Sequence, residues 1–179
     1  VGPLLVRHPG VPIIAFTGSR AVGLAIARDA LAAADTIGEV KRVIAEMGGK
    51  NAIIVDDDAD LDEAVQGVLI SAFGFQGQKC SACSRVIVVE GAYSPFLTRL
   101  IAAARSLRPG EAEDHGAVIG PVIDAESRDR LASAIAAARE RPVFVGELGE
   151  WSTKGSFVAP HVFAEVDPVS PLAQELFTS

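Results

Sequence analysis

Cys80 stands after the glycine-rich run Gly74-Phe-Gln-Gly-Gln-Lys79, with the β-branched segment 86–89 just beyond. Cysteine attacks as thiolate, and an adjacent cation such as Lys79 or an unpaired backbone N–H lowers its pKa toward neutrality. The small neighbours Gly77, Ser81 and Ala82 leave room for a substrate carbonyl to approach. The same residues also suit a buried, inert cysteine, and this stretch by itself does not separate the two. A carboxylate, Glu46, precedes Gly48 and Gly49 at the end of an apolar segment, 40–45, where side chains reach over a sheet edge toward ligands. Glu46 is a candidate base, and the plainer alternative is a solvated turn glutamate paired with Lys50. Thr17-Gly18-Ser19 follows a third apolar run, 12–16, and opens a helix. Helix-end N–H groups and the helix dipole bind anions there, although Ser19 serves equally well as a plain helix cap.

These residues need elements to hold them. A short continuous apolar run at 12–16 predicts a strand buried on both faces, and apolar stretches at 40–45 and 52–55 read as two more strands. Val22, Ile26 and Ala30 mark one face of a helix that ends by Asp35. Asp60 is placed to cap a second helix, whose stripe of Leu61, Ala64, Val65, Val68, Leu69, Ala72 and Phe73 delivers the chain to the Gly74 bend. Ser94-Pro95 reads as the start of a third helix, with Phe96, Leu97, Leu100, Ile101 and Ala104 on its apolar face. Asp124 reads as the cap of a fourth, carrying Leu131, Ile135 and Ala138, and strands are expected at 142–145 and 157–159. Strands alternating with helices predict an α/β fold with a largely parallel sheet.

With 179 residues, 49% of them apolar, the chain can build one good core or parts of two domains. A net charge of −7 with no basic cluster argues against a nucleic-acid partner. No window reaches the ~18 apolar residues of a membrane span, and the first ten residues lack a signal-peptide pattern. The expectation is a soluble, cytoplasmic protein without a membrane partner. No metal is expected: His8, His115 and His161 are scattered, and the acidic run 56–62 lacks the glycine and distal glutamate of a calcium loop. Cys80 and Cys83 have CxxC spacing, yet they precede a strand in mid-chain instead of opening a helix after a first strand, which disfavours a thioredoxin-like pair.

Four pieces stand in order: Phe16-Thr-Gly-Ser19, Glu46-Met-Gly-Gly-Lys50, Gly77-Gln-Lys-Cys80 and Glu175-Leu-Phe177. Together they resemble the NAD(P)-dependent aldehyde dehydrogenase superfamily, in which the general base precedes the nucleophile by the same 34 residues that separate positions 46 and 80 here. The strings Val43-Ile-Ala-Glu-Met-Gly-Gly-Lys-Asn51 and Ser71-Ala-Phe-Gly-Phe-Gln-Gly-Gln-Lys-Cys-Ser-Ala-Cys-Ser-Arg85 resemble its glutamate γ-semialdehyde branch, the 1-pyrroline-5-carboxylate dehydrogenases, free-standing or within a bifunctional proline-utilisation enzyme. After Phe177, where the family carries glycine and proline, this chain has Thr178 and Ser179.

The resemblance implies a division at residues 49 and 50. Residues 1–49 would be the last strand-helix units of a Rossmann-like cofactor domain, and residues 50–179 most of a three-layer catalytic domain with a mostly parallel sheet. It implies an NAD cofactor, with NADP open, and aldehyde oxidation through Cys80 as nucleophile and Glu46 as base. Gly18 and Ser19 would lie at the cofactor pyrophosphate, Glu175 and Phe177 at the nicotinamide ribose and ring, and Ser81 at the substrate α-carboxylate. It further implies a small-molecule aldehyde as partner, a parent protein that forms a homo-oligomer, and a chain that is an internal piece of that parent, inactive alone. Cys83 is assigned to packing, and Lys79 to a structural or electrostatic role. Two alternatives remain open: a catalytically silent module that serves structure or interaction, and a dehydrogenase for general aliphatic aldehydes.

Overall fold

The apolar run after Pro12 becomes β1, Ile13–Gly18, which pairs in parallel with β2, Arg42–Met47. The computed structural model describes residues 1–174, which divide into two compact units at Gly48 and Gly49. In the first unit, β1 and β2 are joined by helix α2, Arg20–Ile37. Ser19 Oγ accepts a hydrogen bond from the Val22 N–H at 3.4 Å, and the helix stops at Gly38, whose φ of 79° is one that glycine adopts without steric cost. The helix face differs from the expected one. Val22 is exposed, whereas Gly23, Ala30 and Ala33 are buried. Small residues let the helix approach the sheet so closely that a Cβ on Gly23 would lie 2.7 Å from the Met47 sulfur.

A short helix, α1, Gly2–Arg7, precedes β1 and was not legible in the sequence. Six residues cannot sustain a helix alone, and tertiary contacts hold this one. Lys41, only 8% exposed, donates to the carbonyls of His8 and Val11, the latter at 2.8 Å, and Arg7 pairs with Asp29 at 3.1 Å.

The second unit begins with another parallel strand-helix-strand unit: β3, Asn51–Val55, then α3, Leu61–Phe73, then β4, Cys83–Val88. Asp60 caps α3 as its sequence predicts, accepting from the N–H groups of Asp62 at 2.9 Å and Glu63 at 3.2 Å. One face of the strand pair carries Ile53, Val55, Val86 and Val88 into a core shared with Val65 and Val68 of α3 and with Ala92, Phe96 and Leu100 of α4, Glu90–Ala104. The α4 helix starts five residues earlier than Ser94-Pro95 suggests, and Pro95 lies inside it. Proline removes one helical hydrogen bond. The first turn survives because Ala92, 4% exposed, is packed into the core ahead of it.

Asp124 caps α5, Ala125–Ala137, through the Ser127 N–H at 2.7 Å. The strand expected at 157–159 falls instead at β6, His161–Phe163, which runs antiparallel to β5, Pro142–Val145. Phe157 is occupied in an edge-on contact with Trp151, ring centres 4.7 Å apart, and Pro160, with no N–H to give, accepts from the N–H of Gly146, just past the end of β5, at 2.8 Å. Among the described residues, two of the three strand pairings are parallel, so the architecture is α/β with one antiparallel addition. No helix among the described residues is long and apolar enough to cross a membrane.

Candidate active site

Within the first unit, the register of the parallel pair gathers three of the sequence-predicted residues. Thr17 lies opposite Glu46 and Gly18 opposite Met47, so Gly18, Ser19 and Glu46 share the carboxyl edge of β1 and β2. That edge is where parallel α/β sheets present ligand-binding groups. Glu46 and Gly18 are exposed, and Ser19 combines its capping role with a place at the N-terminus of an 18-residue helix. A Cβ on Gly18 would lie 2.5 Å from the Phe16 ring, so the ring folds over the bare backbone of this turn. The site side of the turn offers main-chain N–H groups and a helix dipole, both suited to an anion.

Cys80 and Ser81 belong to the second unit and sit at the amino edge of its strand pair, just before β4 begins at Cys83. The chain reaches them by an unusual path. After α3 ends, Phe75, Gln76 and Gly77 take φ values of 59°, 55° and 65° in succession. Left-handed backbone costs a non-glycine residue roughly 1 kcal/mol or more, and such conformations persist only where their surroundings fix them. Here the surroundings are side-chain amides. The Gln78 Oε1 accepts from the Ile123 N–H at 2.9 Å, and the Gln76 amide oxygen, turned toward Gly120, accepts from its N–H at 2.8 Å. The loop therefore hangs on the backbone of residues 120–123.

From Lys79 the chain makes a turn closed by the Ala82 N–H donating to the Lys79 carbonyl at 3.1 Å, with Cys80 and Ser81 as its two exposed central residues. The far side of the turn is held by the Cys83 N–H donating to Ser71 Oγ at 3.1 Å. The near side is held by Asn51, whose Nδ2 donates to the carbonyls of Cys80 at 2.7 Å and Ala82 at 3.1 Å. Sequence reasoning assigned no role to Asn51, Gln76 or Gln78. The only available signal was a pair of glutamines flanking a glycine and an asparagine directly ahead of a β-branched strand.

The two cysteines occupy opposite environments. Cys80 is exposed, whereas Cys83 is 2% exposed in a cluster with Ala72, Phe73 and Ile119. Burial pushes the Cys83 thiol above its ordinary pKa, against the weaker pull of hydrogen bonds to the backbone of Ile53 and Arg85. Cys83 is thus part of the packed interior of this unit, beside Ala72, Phe73 and Ile119. Lys79, the cation beside the nucleophile in sequence, is exposed. Lys50 is shifted below the usual lysine range, first by burial and then by the charge of Arg85, which also donates to the Lys50 carbonyl at 2.7 Å.

A cleft of about 630 Å³ in the second unit is lined by residues including Lys50, Cys83, Arg85, Tyr93, His161 and Leu172, but by neither Cys80 nor Ser81. It is not where the Cys80 thiol would act. Asp56, Asp57 and Asp58 bring carboxylate oxygens within 4.8 Å of one another on the surface, an arrangement common without any ion. Glu175 and Phe177 lie outside the described residues.

Strand-helix-strand units in parallel, a Gly-Ser turn beside a carboxylate, and an exposed cysteine on a clamped turn define a class. Residues 1–178 match the aldehyde dehydrogenase family, and the chain belongs to it. Among curated relatives, it is 44% identical over 176 residues to the 1-pyrroline-5-carboxylate dehydrogenase of Geobacillus sp. (strain WCH70), covering 98% of this chain and 34% of that protein. It is 43% identical over 176 residues to 1-pyrroline-5-carboxylate dehydrogenase 2 of Bacillus subtilis (strain 168), with the same coverage. Among solved structures, it is similar to proline utilization A from Bdellovibrio bacteriovorus, at TM-score 0.91 and 47% identity over 99% of this chain and 18% of that one. It is also similar to a Thermus 1-pyrroline-5-carboxylate dehydrogenase with bound NAD, at TM-score 0.88 and 44% identity over 99% of this chain and 34% of that one. The chain thus spans about a third of the length of these curated relatives.

Proposed function

We propose that the full-length protein oxidises an aldehyde to a carboxylate with a nicotinamide dinucleotide, NAD or NADP, and that the aldehyde is L-glutamate γ-semialdehyde. The observation that carries this reading is the exposure of Cys80 on a turn anchored from both sides by Asn51 and Ser71. A nucleophile held in one geometry avoids much of the entropic cost of attack. The Cys80 thiolate adds to the aldehyde carbon, forming an S–C bond and an alkoxide, which the Cys80 backbone N–H helps to stabilise. The alkoxide collapses to a thioester as hydride leaves the same carbon, and a bound nicotinamide supplies the acceptor for that hydride.

Glu46 then takes a proton from water as the water oxygen attacks the thioester carbonyl. The C–S bond breaks, the carboxylate leaves, and the Cys80 thiolate is restored. The balance is one aldehyde, one water and one oxidised dinucleotide in, and one carboxylate, one reduced dinucleotide and two protons out. Gly18 and Ser19 fit the pyrophosphate because the turn is bare of a Cβ and leads into the N-terminus of α2. Residues 1–49 serve as part of the cofactor domain and residues 50–179 as most of the thiol domain. Ser81, exposed beside the nucleophile, binds the substrate α-carboxylate. The identities to 1-pyrroline-5-carboxylate dehydrogenases support the semialdehyde over a simple aliphatic aldehyde. Glu175 and Phe177 remain assigned to the nicotinamide ribose and ring.

The test is aldehyde-dependent reduction of NAD by the full-length protein, with glutamate γ-semialdehyde beside an aliphatic aldehyde of similar length. Cys80→Ser should abolish turnover, and Glu46→Gln should lower it by roughly 10²–10⁴-fold. Turnover retained by Cys80→Ser would refute the mechanism, and equal kcat/KM for the two aldehydes would refute the substrate.

A further inference from the structure

The first residue of β3 does more than start a strand. Asn51 lies opposite Cys83, but Ala52 lies opposite Arg85, so one extra residue, Ser84, is accommodated in β4 between them. A bulge of this kind turns a side chain out of the regular ladder and is found beside functional sites more often than elsewhere. Its cost is visible, since the buried Ser84 hydroxyl has no hydrogen-bond partner among the described residues. Its product is the Asn51 side chain spanning 29 residues of sequence to reach the Cys80 carbonyl at 2.7 Å and the Ala82 carbonyl at 3.1 Å.

The chemistry of this contact is specific. A primary amide nitrogen carries two hydrogens, one for each carbonyl, so a single side chain fixes the Cys80–Ser81 and Ala82–Cys83 peptide planes. In a trans peptide the N–H points opposite to the C=O. Drawing the Cys80 carbonyl toward Asn51 therefore turns the Ser81 N–H away from it, and fixes the peptide plane that follows the Cys80 α-carbon. Aspartate has the same shape but would set a carboxylate against two carbonyl oxygens. Only a donor pair suits the position.

We infer that Asn51 is the positioning residue for the Cys80 nucleophile: its amide clamps the turn 79–82 in the one orientation from which the thiol can attack. The inference rests on the proposed role of Cys80. The experiment uses the full-length protein with Asn51→Asp and Asn51→Ala, and it reads three quantities for each: kcat and KM for the aldehyde, the alkylation rate of Cys80 by iodoacetamide, and the thermal midpoint; Cys80→Ser is measured for turnover and as the blank for alkylation. The expected result for both Asn51 variants is a fall in kcat of about 10- to 100-fold per folded molecule with little change in KM, as a small misplacement of a reacting group produces. The Cys80 alkylation rate should change with it, and more for Asn51→Asp than for Asn51→Ala. Should Asn51→Asp not fold, Asn51→Ala alone decides. A variant with a lowered midpoint but wild-type kcat and alkylation per folded molecule overturns the inference, because the contact would then be structural only. Activity surviving in Cys80→Ser would instead overturn the reading on which the inference rests.

Discussion

Replacing Cys83 with alanine tests whether the second cysteine is packing or chemistry. The substitution removes one sulfur atom from the cluster of Ala72, Phe73 and Ile119, together with a weak donor to the Arg85 carbonyl at 3.2 Å. Transfer of a group of about methylene size contributes ~0.8 kcal/mol. The residual cavity adds roughly half as much again, so the loss at pH 7 should be between about 1 and 2 kcal/mol. For a unit of this size that lowers the thermal midpoint by roughly 3–6 °C. The pH dependence follows from the raised pKa of the buried thiol. Below the ordinary thiol pKa of ~8.5, both folded and unfolded states hold the proton, and the contribution is complete. Above it the unfolded chain ionises first, so the contribution declines as pH rises toward the folded-state value. The gap between wild type and Cys83→Ala should therefore be full at pH 7 and narrow as pH rises above the ordinary thiol pKa. The assay is thermal unfolding by circular dichroism at pH 7, 8.5 and 10, with turnover measured alongside. A gap constant across that range would show that Cys83 is not protected by burial. A loss of turnover beyond tenfold in a folded variant would show that it takes part in chemistry.

Phe96→Ala should cost about 3–5 kcal/mol, because the ring is 2% exposed at the centre of the core shared by β3, α3 and α4, and urea unfolding would give the value. A cost below 1 kcal/mol would contradict that packing. Hydrogen bonds from the Ser127 backbone and side chain hold the Asp124 carboxyl below the usual carboxylate range. Its stabilisation is present above the unfolded-state value near 3.9 and is lost as pH falls through the lower folded-state value, so Asp124→Asn should flatten the acid limb of the stability profile. An acid limb unchanged in that variant would remove Asp124 from the account. Arg85→Gln should raise the Lys50 pKa by removing a like charge, yet leave it below the ordinary lysine value because burial is the larger cause. Carbon NMR titration of the lysine side chain reads both, and an unmoved Lys50 would exclude the charge effect.

Much of the fold was legible because it is local. A cap is set by one side chain and the N–H groups two or three residues on, so Asp60 and Asp124 were placed correctly from sequence. The stripe of α3 was legible for the same reason: its periodicity is a property of thirteen consecutive residues. Cys80, Ser81, Gly18, Ser19 and Glu46 were likewise singled out by residue type and neighbours, and the structure places Gly18, Ser19 and Glu46 on one strand edge and Cys80 and Ser81 on one exposed turn.

The tertiary structure decided what local pattern cannot carry. Ser94-Pro95 has the form of a helix start, but burial of Ala92 in the core draws the helix back to Glu90. The strand expected at 157–159 yields to 161–163 because Phe157 packs on Trp151 and Pro160 cannot donate to a ladder. The α1 helix exists through Lys41, more than thirty positions away in sequence. The Asn51 clamp depends on the register between β3 and β4 and on a bulge of one residue, and a shift of one residue in that register would point Asn51 elsewhere. Residue chemistry is written in the chain itself. The distances that make it a site arise only when strands remote in sequence settle into one pairing.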